Sequence, residues 1–174
     1  LNASRLEILT TLDALRGSLR ENDNLLIYYA GHGELSESGE GHWVPVDGLP
    51  ERSASWISNR ALSDVLDTLP PKRVLVVADS CYSGTMTQTS LPIADASLDA
   101  AARGRWLQEA TAGRSRLALT SGGVQPVPDT GPSGHSFFAR AFLNVLEGNQ
   151  GLLEATRLFQ DVSASLALAT LDTS

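Results

Sequence analysis

Cysteine is nearly absent from this chain: Cys81 is the only one in 174 residues. An internal disulfide framework is thereby excluded, and one thiol supplies too few ligands for a cysteine-based zinc site. Any special role of Cys81 rests on its own reactivity. Clustered positive charge is missing too. Thirteen Lys and Arg stand against 20 Asp and Glu, a net charge of −7, so a phosphate backbone finds no cationic stripe and nucleic acid is not expected as a partner. The longest apolar runs, such as Val74-Leu75-Val76-Val77-Ala78, fall far short of the ~20 residues that span a bilayer, and no basic-then-apolar signal segment is seen. The expectation is a soluble, cytoplasmic protein with no membrane span. No internal repeat is present.

What the chain does have is core material. Hydrophobic residues make up 42% and charged residues 19%. A domain of about this length buries roughly 70% of its unfolded surface, so one globular unit is expected. From Ser4 to about Arg20, Ile8, Leu12, Leu15 and Leu19 follow the spacing of an amphipathic helix. Leu25 to Ala30, six apolar or aromatic residues between turn formers, predict a buried parallel strand. A short strand is expected at His42 to Val46, with Pro45 marking an edge or an end. Ser58 or Asn59 caps a helix carrying Leu62, Val65, Leu66 and Leu69, which Pro70-Pro71 stops. Arg73 to Ala78 and Arg116 to Thr120 read as further strands. Two helices follow, marked by Phe138, Ala141, Phe142 and Val145, then by Ala155, Leu158, Phe159, Val162 and Leu166. Helices alternating with strands give an α/β fold on a mainly parallel central sheet. Residues 85 to about 102 lack any sustained period and read as a connector.

In such sheets chemistry gathers at the carboxyl ends of the strands. Two strands end there in polar, glycine-flanked residues, His32 and Cys81. A free thiol with a pKa of ~8.5 is mostly protonated at neutral pH and needs a base beside it to become a nucleophile. Histidine holds that proton during attack and returns it to a leaving amine. The backbone amides of Cys81 and Gly33 are candidate oxyanion donors. The alternative is an inert buried cysteine and a structural histidine.

Tyr28-Tyr29-Ala30-Gly31-His32-Gly33, followed by Asp79-Ser80-Cys81-Tyr82-Ser83-Gly84, resembles the caspase-like cysteine peptidases of clan CD, in particular the metacaspase and prokaryotic caspase-homologue branch. The histidine and cysteine lie 49 positions apart, against about 50 in the caspase signature. Thr120-Ser121-Gly122-Gly123 and Gly134-His135-Ser136-Phe137-Phe138 resemble the small-subunit part of bacterial members. The resemblance implies a three-layer caspase-like α/β/α fold and a peptide or protein substrate. It implies His32 as base and acid and Cys81 as nucleophile, with no metal in the chemistry. Calcium activation stays open, since no EF-hand-like string is present. On this reading residues 1–84 are a large-subunit-like part bearing the dyad, 85–113 a connector and 114–174 a small-subunit-like part, together one domain.

Caspases carry Gln-Ala-Cys-Arg-Gly at the nucleophile and cut after Asp. Here Asp79 stands two before Cys81, and the matching Asp of metacaspases lines a pocket for a basic side chain, so cleavage after Arg, then Lys, is expected. Asp79 as a mere turn residue is the alternative. Ser121 and Asp129 fall in the segment resembling the substrate-groove wall, where each either contacts peptide or orders the loop. Asp47 shapes the cleft or simply forms a turn. His42 and His135 read as structural, and Trp43, Trp56 and Trp106 as core or groove aromatics. Arg103 and Arg105 lie in the connector, just beyond its aperiodic stretch, where an Arg-preferring protease could cut itself. An inactive caspase-like binding scaffold and another thiol acyl-transfer enzyme are the competing readings. Metacaspase-like domains also begin with a strand, helix and strand that precede the Ser4 helix. Their lack here leaves Leu25 to Ala30 an apolar edge to be covered by an upstream fragment of the same protein or by another chain.

Overall fold

The computed structural model describes residues 2–80, 108, 112–121, 134–151 and 153–171. The described residues form two units. The first begins with α1 (Arg5–Ser18), which Ser4 opens with a capping box: its side chain accepts the Glu7 N–H while the Glu7 carboxylate accepts the Ser4 N–H. These bonds hold the Glu7 carboxyl below its usual range. β1 (Asn24–Ala30), β5 (Arg73–Asp79) and β6 (Ser115–Thr120) make a parallel sheet in the order β1-β5-β6. Between them in sequence, β2 (His32–Leu35), β3 (Gly41–Val44) and β4 (Ile57–Ser58) make a separate antiparallel sheet. α2 (Asn59–Thr68) follows, with Ser58 accepting the Ala61 N–H at its start.

One face of the parallel sheet carries the core. Leu25, Ile27 and Tyr29 of β1 stand in register with Val74, Val76 and Ala78 of β5, and Leu12 of α1 and Leu62, Leu66 and Leu69 of α2 pack against them. Trp43 and Ile57 of the small sheet join the same cluster. Fully burying one such Leu or Ile is worth about 1.5–3 kcal/mol. The end of α2 is fastened by Arg116 of β6. Its guanidinium donates to the carbonyls of Leu66 (3.0 Å), Leu69 (3.0 Å), Lys72 (3.1 Å) and Ser115 (3.1 Å). Pro70, which has no N–H, follows at once.

Two expectations need correction and a third is narrowed. β1 is parallel and stands at the edge of its sheet among the described residues, both as expected, but it is not buried: it alternates between exposed and half-buried residues. Leu26 and Tyr28 point to the face away from α1 and α2 and stay 56% and 42% exposed. His32 does not end a strand in a turn; it opens β2, whose glycine and charged residues gave little β signal. The short strand expected at His42 to Val46 is β3, Gly41–Val44; Pro45 marks its end, one of the two roles expected of it, and the strand is central in its sheet rather than an edge. The hairpin between β2 and β3 closes through Gly39, at φ 79°, a left-handed position that favours glycine.

The second unit holds α3 (Phe137–Gly148) and α4 (Ala155–Leu171), which pack against each other. Ser136 caps α3 through the Ala139 N–H at 2.9 Å. Phe138, Ala141 and Phe142 of α3 and Leu158 and Val162 of α4 are buried. No helix among the described residues is long and apolar enough to cross a membrane.

Candidate active site

The carboxyl ends of β1 and β5 lie side by side. Their ladder pairs Tyr28 with Val77, Tyr29 with Ala78 and Ala30 with Asp79. Alternation along a strand then sends Tyr28, Ala30 and Asp79 to one face and Tyr29 to the other.

Tyr29 ties the two sheets together. Its ring stacks on Trp43 with centroids 4.1 Å apart and planes 4° from parallel. Its hydroxyl lies 2.8 Å from the His32 carbonyl and 3.1 Å from that of Val44, residues paired across β2 and β3. One proton serves two carbonyls, and both are thereby fixed relative to β1. Burial pushes the Tyr29 phenol up to about 12. Gly31 makes this geometry possible: a Cβ there would sit 2.7 Å from the Tyr29 hydroxyl and 2.8 Å from its Cζ. His32 itself is exposed, while Gly33 is buried opposite Trp43.

On the other face, the Tyr28 hydroxyl donates to Asp79 Oδ2 at 3.3 Å. Burial first, and then the Asp79 carboxylate, push the Tyr28 phenol up to about 12. The Asp79 carbonyl accepts the Gly31 N–H at 3.3 Å, joining the strand ends once more. Ser121, at the end of β6, donates its hydroxyl to the Ser80 carbonyl at 3.2 Å and its N–H to that of Ala78 at 3.0 Å. The end of β5 is thus held from Ser121 on one side and from Gly31 on the other.

Asp79 and Ser121 therefore lie at the carboxyl edge of the parallel sheet, while His32 and Gly33 belong to β2, which follows β1 after Gly31. Asp47 serves a different contact, its Oδ1 accepting the Arg5 N–H at the start of α1 at 2.8 Å. His42 is buried, with Nδ1 2.8 Å from the Glu40 carbonyl and its ring edge-on to Trp56. His135 is exposed in the second unit. Cys81, Trp106, Asp129, Arg103 and Arg105 lie outside the described residues. Among the described residues no cluster of His, Cys, Asp and Glu is arranged to hold a metal ion. The sequence assigned no part to Tyr28 or Tyr29, for which strand alternation along β1 was the available signal; it offered Gly31 as room for a substrate's backbone, whereas the space at Gly31 is taken by the Tyr29 ring.

The caspase domain family matches residues 1–173. The chain belongs to the caspase-domain peptidases. Membership brings the general character of a cysteine peptidase acting on peptide substrates, and the parallel sheet with its helices is a caspase-like α/β arrangement. Among solved structures, the chain is similar to the crystal structure of a protein from Geobacter sulfurreducens. The TM-score is 0.57 at 16% identity, over 92% of this chain and 68% of that one. This likeness concerns the fold alone. No curated protein matches the chain.

Proposed function

We propose that this caspase-domain protein is an endopeptidase of the metacaspase-like branch that uses a Cys81–His32 dyad and cuts after Arg in preference to Lys. The observation that carries the reading is the register of β1 on β5. Ala30 pairs with Asp79, and His32 and Cys81 each follow their member of that pair by two positions. Adjacent strands are about 4.8 Å apart, and two residues of chain reach at most about 7 Å. The histidine and the thiol thus start from neighbouring points.

In the proposed reaction His32 takes the Cys81 proton and the thiolate attacks the scissile carbonyl carbon. The amides of Gly33 and Cys81 stabilise the oxyanion. His32 then protonates the leaving amine, and water, deprotonated by His32, hydrolyses the thioester and restores the thiol. Asp79 supplies the carboxylate that pairs with the basic side chain before the scissile bond. Ser121 orders the turn that leads to the nucleophile, Asp129 belongs to the groove wall, and Asp47 is assigned to holding α1. Residues 1–84 and 114–174 act as large- and small-subunit-like parts, with self-cleavage after Arg103 or Arg105 in the connector. The open side of β1, with Leu26 and Tyr28 exposed beside it, is proposed to pair with a strand from an upstream fragment or another chain.

Fluorogenic peptides that differ only in ending with Arg, Lys or Asp, assayed with and without calcium, test the specificity. Turnover in the order Arg, Lys, Asp, lost in Cys81→Ala, is expected. Preferred turnover of the Asp peptide overturns the assignment of Asp79.

A further inference from the structure

We propose that Tyr28 is a specificity-determining residue, its hydroxyl orienting the Asp79 carboxylate and its ring giving a flat face to the guanidinium of the residue before the scissile bond. The inference rests on the reading of Asp79 as the pocket carboxylate and extends it to a neighbour on β1.

The placement follows from the ladder. Tyr28 and Asp79 project from the same face of adjacent strands, and the residue in register with Asp79 is Ala30, whose side chain is a single methyl. The Tyr28 side chain reaches across to the carboxylate, its hydroxyl 3.3 Å from Oδ2. It is nonetheless 42% exposed, at the carboxyl end of a strand where substrates of α/β sheets bind. The phenol thus reaches the carboxylate through a hydrogen bond at 3.3 Å while the residue stays partly open to solvent.

The chemistry selects a guanidinium. A carboxylate has about four acceptor sites, so a bond from one hydroxyl is compatible with a bidentate Arg contact. Arg is also planar and stacks on aromatic faces, whereas the Lys ammonium is a hydrated point charge that gains less from the ring. A carboxylate alone attracts both cations; a carboxylate fixed beside a ring prefers the planar one. Burial and the Asp79 charge both keep the phenol protonated, so it remains a donor over the whole physiological pH range.

The test is steady-state kinetics of the full chain with Arg and Lys peptides for wild type, Tyr28→Phe, Tyr28→Leu and Asp79→Ala. Rates of Cys81 alkylation by iodoacetamide report the state of the nucleophile in each. Tyr28→Phe keeps the ring and loses the anchor; KM for the Arg peptide rises about 3–10-fold, the change falling on KM rather than kcat. Tyr28→Leu loses both, and the Arg-to-Lys ratio of kcat/KM falls by a further factor of about 2–5. Alkylation rates stay at the wild-type value in both. If Asp79→Ala abolishes Arg turnover while both Tyr28 variants keep wild-type KM and Arg-to-Lys ratio, the role of Tyr28 is overturned and the pocket reading stands. If Asp79→Ala leaves Arg turnover intact, the pocket reading falls and Tyr28 falls with it. Loss of kcat and of alkylation together in Tyr28→Phe overturns the specificity role in favour of a structural one.

Discussion

Replacing Gly31 by alanine adds one methyl to the most crowded point of the strand-end junction. The new Cβ would lie 2.7 Å from the Tyr29 hydroxyl, 2.8 Å from Cζ and 3.3 Å from Cε2. The phenol cannot simply swing aside, because its ring is stacked on Trp43 at 4.1 Å and its hydroxyl is engaged by the His32 and Val44 carbonyls. Overpacking of this kind costs about 1–3 kcal/mol, and the displaced hydroxyl loses a hydrogen bond worth about 1 kcal/mol. The reduced freedom of the unfolded chain returns about 0.4–1 kcal/mol. The net loss is about 1–4 kcal/mol, which for a chain of this size lowers Tm by roughly 2–16 °C. Urea unfolding of a four-member set, wild type, Gly31→Ala, Tyr29→Leu and the double variant, isolates the contact. Leucine has neither Cζ nor a hydroxyl, so Gly31→Ala is expected to be neutral or slightly stabilising in the Tyr29→Leu background. Equal destabilisation in both backgrounds refutes the steric reasoning.

Arg116→Lys cannot serve four carbonyls spread over α2, β6 and the segment before β5, and it should cost at least about 2 kcal/mol in urea unfolding; a loss below about 0.5 kcal/mol contradicts the clamp. Ser58→Ala removes the N-cap of α2 and should cost about 1 kcal/mol, read from the same unfolding curves. Folded-state values near 12 for Tyr28 and Tyr29 lie above the ordinary phenol value of 10.0. Their contribution to stability is therefore complete below about pH 10 and is lost as pH rises toward 12. Ultraviolet titration of the folded protein should show late phenolate formation that Tyr28→Phe and Tyr29→Phe each reduce; ionisation of both near 10 in the folded state contradicts the burial argument.

The parallel strands and capped helices were legible because their signals are local. Arg73 to Ala78 is β-branched and apolar, Ser58 precedes an amphipathic run, and Pro70-Pro71 must end it. Of the candidate site, Asp79 was legible as the last residue of a strand because Arg73 to Ala78 carries a strong local β signal, whereas His32, read as the end of a strand, opens β2 instead. The second sheet was not legible, since His32-Gly33-Glu34-Leu35 has little intrinsic β preference and becomes a strand only by pairing with β3. The parts played by Tyr28, Tyr29, Gly31 and Arg116 were hidden for a related reason. Tyr28, Tyr29 and Arg116 depend on partners far along the chain, such as Asp79, Trp43 or the carbonyls ending α2, and Gly31 matters only through the ring of Tyr29 that those partners hold in place.

The central claim is that His32 makes Cys81 a nucleophile at neutral pH. It is tested most directly by intact-mass measurement after exposure to a peptidyl chloromethyl ketone ending in Arg, with and without calcium. The account predicts a single adduct on Cys81, absent in Cys81→Ala and formed about 100-fold or more slowly in His32→Ala. No adduct under either condition, or an equal rate in His32→Ala, contradicts it.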